Sequence, residues 1–198
     1  MDNLKVLITS PEAAGGTSLQ LTACHIFLLH NSLKDALQCV HLGLTMEHLA
    51  MCIQIYIKID RLDLAKQSLE LLKQADEDSI LAQLGSAQLA ISTGKSCAND
   101  AVHMLMGLSE QYRPSLVLLN YLAVPNMVGG KYEAAESNLK EAIDEFSGEN
   151  DADTLVNMVC VSQHLGKKSA DIEKYLTALK MGYASHSGKK MFVLDNVI

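Results

Sequence analysis

Hydrophobic residues recur at helical spacing along almost the whole chain, and no segment sustains the alternation of apolar and polar residues that marks a strand. Turn and capping residues interrupt this pattern at regular distances. The pattern therefore predicts an all-α fold. We expect five helical hairpins, whose helices cover residues 17–30 and 33–42, 46–59 and 61–74, 78–92 and 98–112, 115–128 and 131–146, and 151–165 and 168–181.

Capping residues and one proline refine these helices. Thr45, Asp60 and Ser115 each stand just before a predicted helix, where a short polar side chain can accept a hydrogen bond from a free backbone N–H. Pro125 lies inside the helix predicted over 115–128. A proline inside a helix removes one backbone hydrogen bond and crowds the preceding turn, at a cost of about 3 kcal/mol. We therefore expect a kink or an early end of this helix at Pro125.

A small residue recurs in the second helix of successive hairpins, where two helices would cross closely. The alanines lie 29, 36 and 34 residues apart, and a further 36 residues lead to Asp171 in the fifth hairpin. These separations resemble the period of about 34 residues found in tetratricopeptide repeats. The spacing predicts a tetratricopeptide-like α-α solenoid, built on Ala36, Ala65, Ala101 and Ala135.

The fourth hairpin fits the repeat best. Its first helix contributes Ala123, Gly130 stands in the turn, and the second helix contributes Tyr132, Ala135 and Leu139. Two alanines at the crossing let the helix backbones approach, and a bulky residue there would cost about 1–3 kcal/mol through overpacking. One hairpin cannot bury its apolar face alone, so stacked hairpins form a continuous core. We predict one repeat domain over 1–181 and an irregular C-terminal tail over 182–198.

Composition excludes several classes of partner. The net charge is -7 and the sequence pI is near 5.4, whereas a nucleic-acid-binding domain needs a basic surface. The same charge disfavours direct binding to anionic lipid. No targeting segment or membrane span is evident, so we expect a cytoplasmic protein. Five scattered cysteines without a CxxC pair indicate small buried side chains in a reducing compartment: Cys24, Cys39, Cys52, Cys97 and Cys160.

Chemically active motifs are missing from the sequence. The seven histidines form no HExxH motif, and no cysteine–histidine cluster has the spacing of zinc ligands. The pair Gly15-Gly16 is not followed by the lysine of a phosphate-binding loop. We therefore predict no catalytic, metal-binding or cofactor-binding residue and no enzyme activity. The sequence does not identify the partner-binding residues.

Several less regular segments resemble the epsilon subunit family of coatomer. They include Met51 to Leu84, Leu118-Leu119-Asn120, Glu133 to Glu136, Asp153 to Asn157 and His164 to Lys167, and the resemblance spans roughly 17–181. It implies a non-enzymatic subunit of the COPI coat that works in Golgi-to-ER retrograde and intra-Golgi transport without a cofactor. The implied partners are the C-terminal domain of the coatomer alpha subunit, which such a protein binds and stabilises, and other coat subunits. The implied location is the cytoplasm and, peripherally through the coat, Golgi membranes and COPI-coated vesicles.

Two departures and one alternative accompany this resemblance. The family's members carry further repeats at the N-terminus, and the segment after Met181 does not follow the family's helical ending. The alternative function is a generic tetratricopeptide-repeat adaptor that captures a peptide or protein, for instance through peptide C-termini. Such capture needs lysine, arginine and asparagine converging in a groove, whereas the first helices of the hairpins are poor in cations and Lys58 sits at a helix end.

Overall fold

Ten α-helices make up the part of the chain that the computed structural model describes, residues 16–147 and 151–184. No strand occurs within these ranges, which confirms the all-α prediction. The helices lie within a few residues of the predicted ones. They are α1 (Thr17–Leu29), α2 (Leu33–Val40), α3 (Met46–Lys58), α4 (Leu62–Ala75), α5 (Ile80–Thr93), α6 (Ala98–Tyr112), α7 (Leu116–Val128), α8 (Tyr132–Phe146), α9 (Ala152–His164) and α10 (Ser169–Ala184).

The helices belong to two compact units that divide between Thr93 and Gly94. In the first unit, α1 packs on α2, α3 packs on α4, and α5 packs on both α3 and α4. In the second unit, α6 packs on α7, α8 packs on α7 and α9, and α10 packs on α9. The helices of the third predicted hairpin therefore belong to different units, α5 to the first and α6 to the second. The single domain over residues 1–181 stays a prediction. Helix α10 reaches Ala184, and the rest of the predicted tail lies outside the described residues.

Four helices end in the same backbone motif. At the end of α7, the Lys131 N–H donates to the carbonyl of Asn126 at 2.8 Å, and the Gly130 N–H donates to Met127 at 3.0 Å. This pair of bonds is a Schellman motif, which requires a left-handed residue after the helix. The same two bonds close α1, α3 and α9. The left-handed residues are Asn31, Asp60, Gly130 and Gly166, with φ between 55° and 78°.

This motif corrects the prediction for Asp60. Asp60 does not cap the N-terminus of α4, because Arg61 occupies that position and makes no side-chain cap. Asp60 is instead the left-handed residue that ends α3, with φ of 57°. The other two predicted caps are confirmed: Thr45 accepts a hydrogen bond from the His48 N–H, and Ser115 accepts one from the Leu118 N–H.

The prediction of an early helix end at Pro125 is wrong. Helix α7 continues through Pro125 to Val128, and Pro125 itself is buried. The turn around the proline is supported by its neighbours, because the Asn126 side-chain amide donates to the carbonyl of Leu122 at 2.9 Å. The Gly129 N–H donates to the carbonyl of Pro125 at 2.9 Å, so the helix closes normally after the proline.

The first unit contains two apolar clusters and one buried polar link. Phe27, Cys24, Cys39 and Cys52 belong to one cluster, and burial raises the pKa of Cys24 to about 12 and that of Cys52 to about 11. These three cysteines are buried as predicted, whereas Cys97 and Cys160 are only half-buried.

The buried polar link joins α3 to α1 through His48, which is 1 % exposed. The Thr45 hydroxyl lies 2.8 Å from its Nδ1, and its Nε2 lies 3.0 Å from the Gln20 amide oxygen. Gly43 packs against the imidazole so closely that a Cβ atom there would collide with the ring. The turn before α3 is therefore held by a glycine, a cap and a buried histidine.

Candidate partner-binding face

Helix α7 carries no charged residue, and its solvent-facing side is apolar. Val117, Tyr121, Val124 and Val128 recur every three to four residues and so share one side of the helix. Val117 is 68 % exposed, and the other three are half-buried. We call these four residues the outer stripe of α7. A surface helix normally presents polar residues to water, so an apolar stripe of this kind indicates a contact surface.

The opposite side of α7 explains why the outer stripe is exposed. Leu119, Leu122, Ala123 and Met127 are buried. Ala123 and Met127 pack with Ala135 and Leu139 of α8 and with Met158 of α9 in the core of the second unit. The packing of α7 against its neighbours therefore buries one side of the helix and part of Val124, and it leaves Val117 as the most exposed residue of the outer stripe.

Helix α9 presents a similar side to solvent. Asp151 caps this helix by accepting the Thr154 N–H at 2.9 Å. Ala152, Val156 and Val159 are half-buried on one side of the helix, and Gln163 on the same side is exposed. Helix α9 thus adds two valines to the apolar surface of the second unit.

Buried hydrogen bonds fix α7 against α9. The Asn120 side-chain amide donates to the Thr154 hydroxyl at 2.7 Å, and Asn157 donates to the Asn120 side-chain oxygen at 3.0 Å. The Thr154 hydroxyl in turn donates to the Asp151 carboxylate at 2.8 Å. Asn120, Thr154 and Asn157 are each at most 8 % exposed. A buried polar network whose members are all bonded specifies one register, so it holds the solvent-facing sides of α7 and α9 in a fixed relation.

Most of the residues predicted to mark the repeat are buried. The five alanines and Leu139 are fully buried, and Tyr132 stacks on the ring of His164 with a centroid distance of 4.3 Å. Gly130 has the positive φ of 78° that the end of α7 requires. None of these residues belongs to the outer stripe. The buried alanines are Ala36, Ala65, Ala101, Ala123 and Ala135.

Among the grooves of the described part of the second unit, two are each formed by two helices over a third. The α6–α8 groove has α7 as its floor, encloses about 330 Å³ and includes Glu110 and Glu141. The α8–α10 groove has α9 as its floor and encloses about 560 Å³. It is lined by Lys140, Ile143, Asp144, Leu155, Lys174, Tyr175 and Ala178.

Neither a metal centre nor a membrane span is found among the described residues. Within residues 16–147 and 151–184, no three histidine, cysteine or acidic side chains come together as metal ligands would. None of the described helices combines the length and apolar character that a membrane crossing needs.

Helices packed in pairs with buried alanines are typical of a tetratricopeptide-like helical-repeat protein. A solved tetratricopeptide repeat protein from Parabacteroides merdae matches with a TM-score of 0.74 and 17 % identity, over 95 % of this chain and 74 % of that one. The family model of the coatomer epsilon subunit matches residues 1–193, which is wider than the predicted span of 17–181. The chain belongs to the coatomer epsilon subunit family.

Curated relatives from distant organisms agree with this family. Coatomer subunit epsilon-1 of Arabidopsis thaliana is 34 % identical over 94 % of this chain and 62 % of its own length. Coatomer subunit epsilon of Dictyostelium discoideum is 32 % identical, over 82 % of this chain and 54 % of its own. The counterpart in Caenorhabditis elegans is 29 % identical, over 77 % and 52 %. The chain therefore spans less than two thirds of the length of these relatives.

Proposed function

We propose that the chain is a non-enzymatic structural component of the COPI vesicle coat and that it binds and stabilises the C-terminal domain of the coatomer alpha subunit, hereafter the alpha domain. Its location would then be the cytoplasm and, through the coat, Golgi membranes and vesicles. Membership of the coatomer epsilon family supports the coat role. The observation that carries partner binding is the outer stripe of α7, with Val117 68 % exposed on a helix without charged residues.

The physical argument is that the outer stripe suits a protein rather than a charged ligand. Burying apolar surface contributes about 25 cal/mol for each Å² removed from water, and exposed valines gain this only from an apolar partner. The predicted alternative, a peptide-capturing adaptor, needs cations near the bound carboxylate. Helix α7 offers neither lysine nor arginine for that role.

Co-expression tests this proposal. The full chain would be co-expressed with the alpha domain, beside a version extended by the parts of the Arabidopsis relative that the chain does not match. We expect the alpha domain to co-purify. If neither version retains it, the assignment is wrong, and if only the extended version does, the added parts are needed for binding.

A matched pair of variants locates the contact. Val117→Asp places a carboxylate in the outer stripe of α7, and Leu71→Asp makes the same change at a 48 % exposed leucine on α4. We expect Val117→Asp to lose the alpha domain and Leu71→Asp to retain it. Equal retention by both variants would remove the outer stripe of α7 from the contact.

A further inference from the structure

The α6–α8 groove and the α8–α10 groove share an architecture but differ in charge. Each has walls from two helices and a floor from the helix between them. The charged residues that line the α6–α8 groove are the acidic Glu110 and Glu141. The α8–α10 groove is lined by two ammonium groups, Lys140 and Lys174, and one carboxylate, Asp144. Adjacent residues of α8, Lys140 and Glu141, thus line different grooves.

The cations of the α8–α10 groove are arranged around an apolar floor. Leu155 of α9 is 4 % exposed at the floor, and Ile143, Ala178 and the ring of Tyr175 are half-buried around it. Lys140 Nζ lies 2.7 Å from Glu136 Oε1, and this bond, with Tyr175 and Asp144 nearby, raises the pKa of Lys140. The ammonium of Lys140 is thereby held in place and charged beside the tyrosine.

Lys174 differs from Lys140 in its pairing. Among the residues that the structure describes, Lys174 forms no ion pair, although it lines the same groove from α10. An ammonium without a carboxylate partner at the edge of an apolar trough is suited to bind a carboxylate supplied by a ligand. The volume of about 560 Å³ lies within the usual range of ligand sites, about 300–1,000 Å³.

We propose that the α8–α10 groove binds a short acidic peptide segment of another protein, with an apolar side chain on Leu155 and carboxylates at Lys140 and Lys174. Charge complementarity selects this occupant. A polyanion such as nucleic acid, or an anionic membrane, needs a broad basic surface, and the chain has a net charge of -7. A peptide with a few carboxylates meets the two lysines and the single Asp144 carboxylate of the groove rather than the net charge of the chain, because charges beyond about 8 Å are screened at physiological ionic strength.

This site is separate from the surface proposed to bind the alpha domain. Its lining residues lie on α8, α9 and α10 and include no residue of the outer stripe of α7. The proposal therefore does not rest on the coat role, and loss of alpha-domain binding by Val117→Asp leaves it unaffected.

Fluorescence anisotropy with a labelled peptide, Asp-Asp-Leu-Phe-Asp-Asp, tests the proposal on the full chain. We expect saturable binding, and we expect Lys174→Glu to weaken it by about tenfold, since a reversed charge loses one exposed ion pair and adds a repulsion. Lys180→Glu is the matched control, because it makes the same charge change on α10 at an exposed residue outside the groove lining. It should leave the affinity within about twofold.

Other outcomes overturn the proposal. Equal weakening by Lys174→Glu and Lys180→Glu would show attraction to overall charge rather than a site, and so would equal binding of the peptide Lys-Lys-Leu-Phe-Lys-Lys. Lys174-dependent sedimentation with phosphatidylserine vesicles, without peptide binding, would make the groove a lipid site. A photoreactive copy of the acidic peptide should crosslink to α8 or α10, and crosslinks confined to α6 would place it elsewhere. Circular dichroism of both variants checks that their helices are intact.

Discussion

Helices α3 and α7 are built alike but face solvent differently. Each has 13 residues, begins after a hydroxyl-bearing cap and ends in a Schellman motif. Matched inward positions are buried in both, Leu49 with Leu119 and Ile53 with Ala123. At three matched outward positions, α3 carries Glu47, Gln54 and Lys58, where α7 carries Val117, Val124 and Val128.

This difference separates what the fold requires from what binding requires. Both helices are capped at both ends and bury one side, so the repeat constrains the caps and the inward residues. At three of the four positions that match the outer stripe, α3 carries polar residues, as a solvated surface does, and at the fourth it carries Met51. Val124 packs partly on the core of the second unit, whereas Val117 is 68 % exposed and has no comparable structural reason, which is why we assign the outer stripe to a partner.

Exchanging the outward residues should have the largest effect. The triple variant Val117→Glu, Val124→Gln and Val128→Lys gives α7 the solvent-facing residues of α3. We expect binding of the alpha domain to fall by about a thousandfold, because three apolar contacts of an interface centre are replaced by groups that lose hydration on burial. Titration calorimetry measures the change.

The reciprocal variant is the control. Glu47→Val, Gln54→Val and Lys58→Val should leave the affinity for the alpha domain unchanged. Circular dichroism of both variants tests folding. If the α3 variant lost binding as fully as the α7 variant, the distinction between the two helices would not hold.

A thiol reagent should modify Cys160 of the second unit about a hundredfold faster than Cys52 of the first unit. At about pH 8, a pKa of about 11 leaves about one Cys52 in a thousand as the reactive thiolate, and Cys52 is also buried. Cys160 of α9 is half-buried. Brief treatment with N-ethylmaleimide, followed by peptide mass spectrometry, should find Cys160 modified and Cys52 intact. Equal modification of the two cysteines would contradict the packing of the α3 core.

Asn120→Ala should lower the free energy of unfolding by about 2 kcal/mol, because it leaves the buried Asn157 amide without its partner and removes one of the two hydrogen bonds of the Thr154 hydroxyl. Asn126→Ala is the matched control. Asn126 is buried on the same helix, but its amide bonds the carbonyl of Leu122 within α7. Urea denaturation should show a smaller loss for Asn126→Ala. Equal losses would show that the hydrogen bonds between α7 and α9 contribute no more to the free energy of unfolding than the bond within α7.

The two C-terminal turns should give the smallest effect. Asp60 ends α3 with a left-handed backbone, where Gly130 ends α7. A glycine adopts this conformation more readily than an aspartate, so we expect Asp60→Gly to stabilise the chain by up to about 1 kcal/mol and Gly130→Asp to destabilise it similarly. Thermal unfolding measures both variants. A stabilising Gly130→Asp would contradict the shared motif.

Much of the fold follows from local patterns in the sequence. Helical spacing and the caps at Thr45 and Ser115 predict the positions of α3 and α7 closely. Asp60 misleads because an aspartate before a helix usually caps it, whereas here the end of the preceding helix uses the same residue. Pro125 misleads about the end of its helix, because a proline lowers helix propensity in a sequence, whereas in the fold Pro125 is buried and α7 continues to Val128.

The outer stripe of α7 is harder to predict from the sequence. Helix α7 is apolar all round, so periodicity alone does not say which valines are exposed. Asn120 would be placed on the solvent side by its polarity, yet it is 8 % exposed and bonded to α9. The exposure of the valines and the burial of Asn120 both depend on which helices pack against α7. The absence of charged residues along α7 is the sequence signal that could have indicated the outer stripe.

Helix α10 differs from the other helices because none of its described side chains, Ser169 to Met181, is fully buried. Its attachment rests on half-buried residues such as Ile172, Leu176 and Leu179. A helix held this lightly opens by itself more often than the unit unfolds. Its backbone amide protons should therefore exchange with deuterium ahead of those in α7 and α9, and a ligand in the α8–α10 groove would slow that exchange.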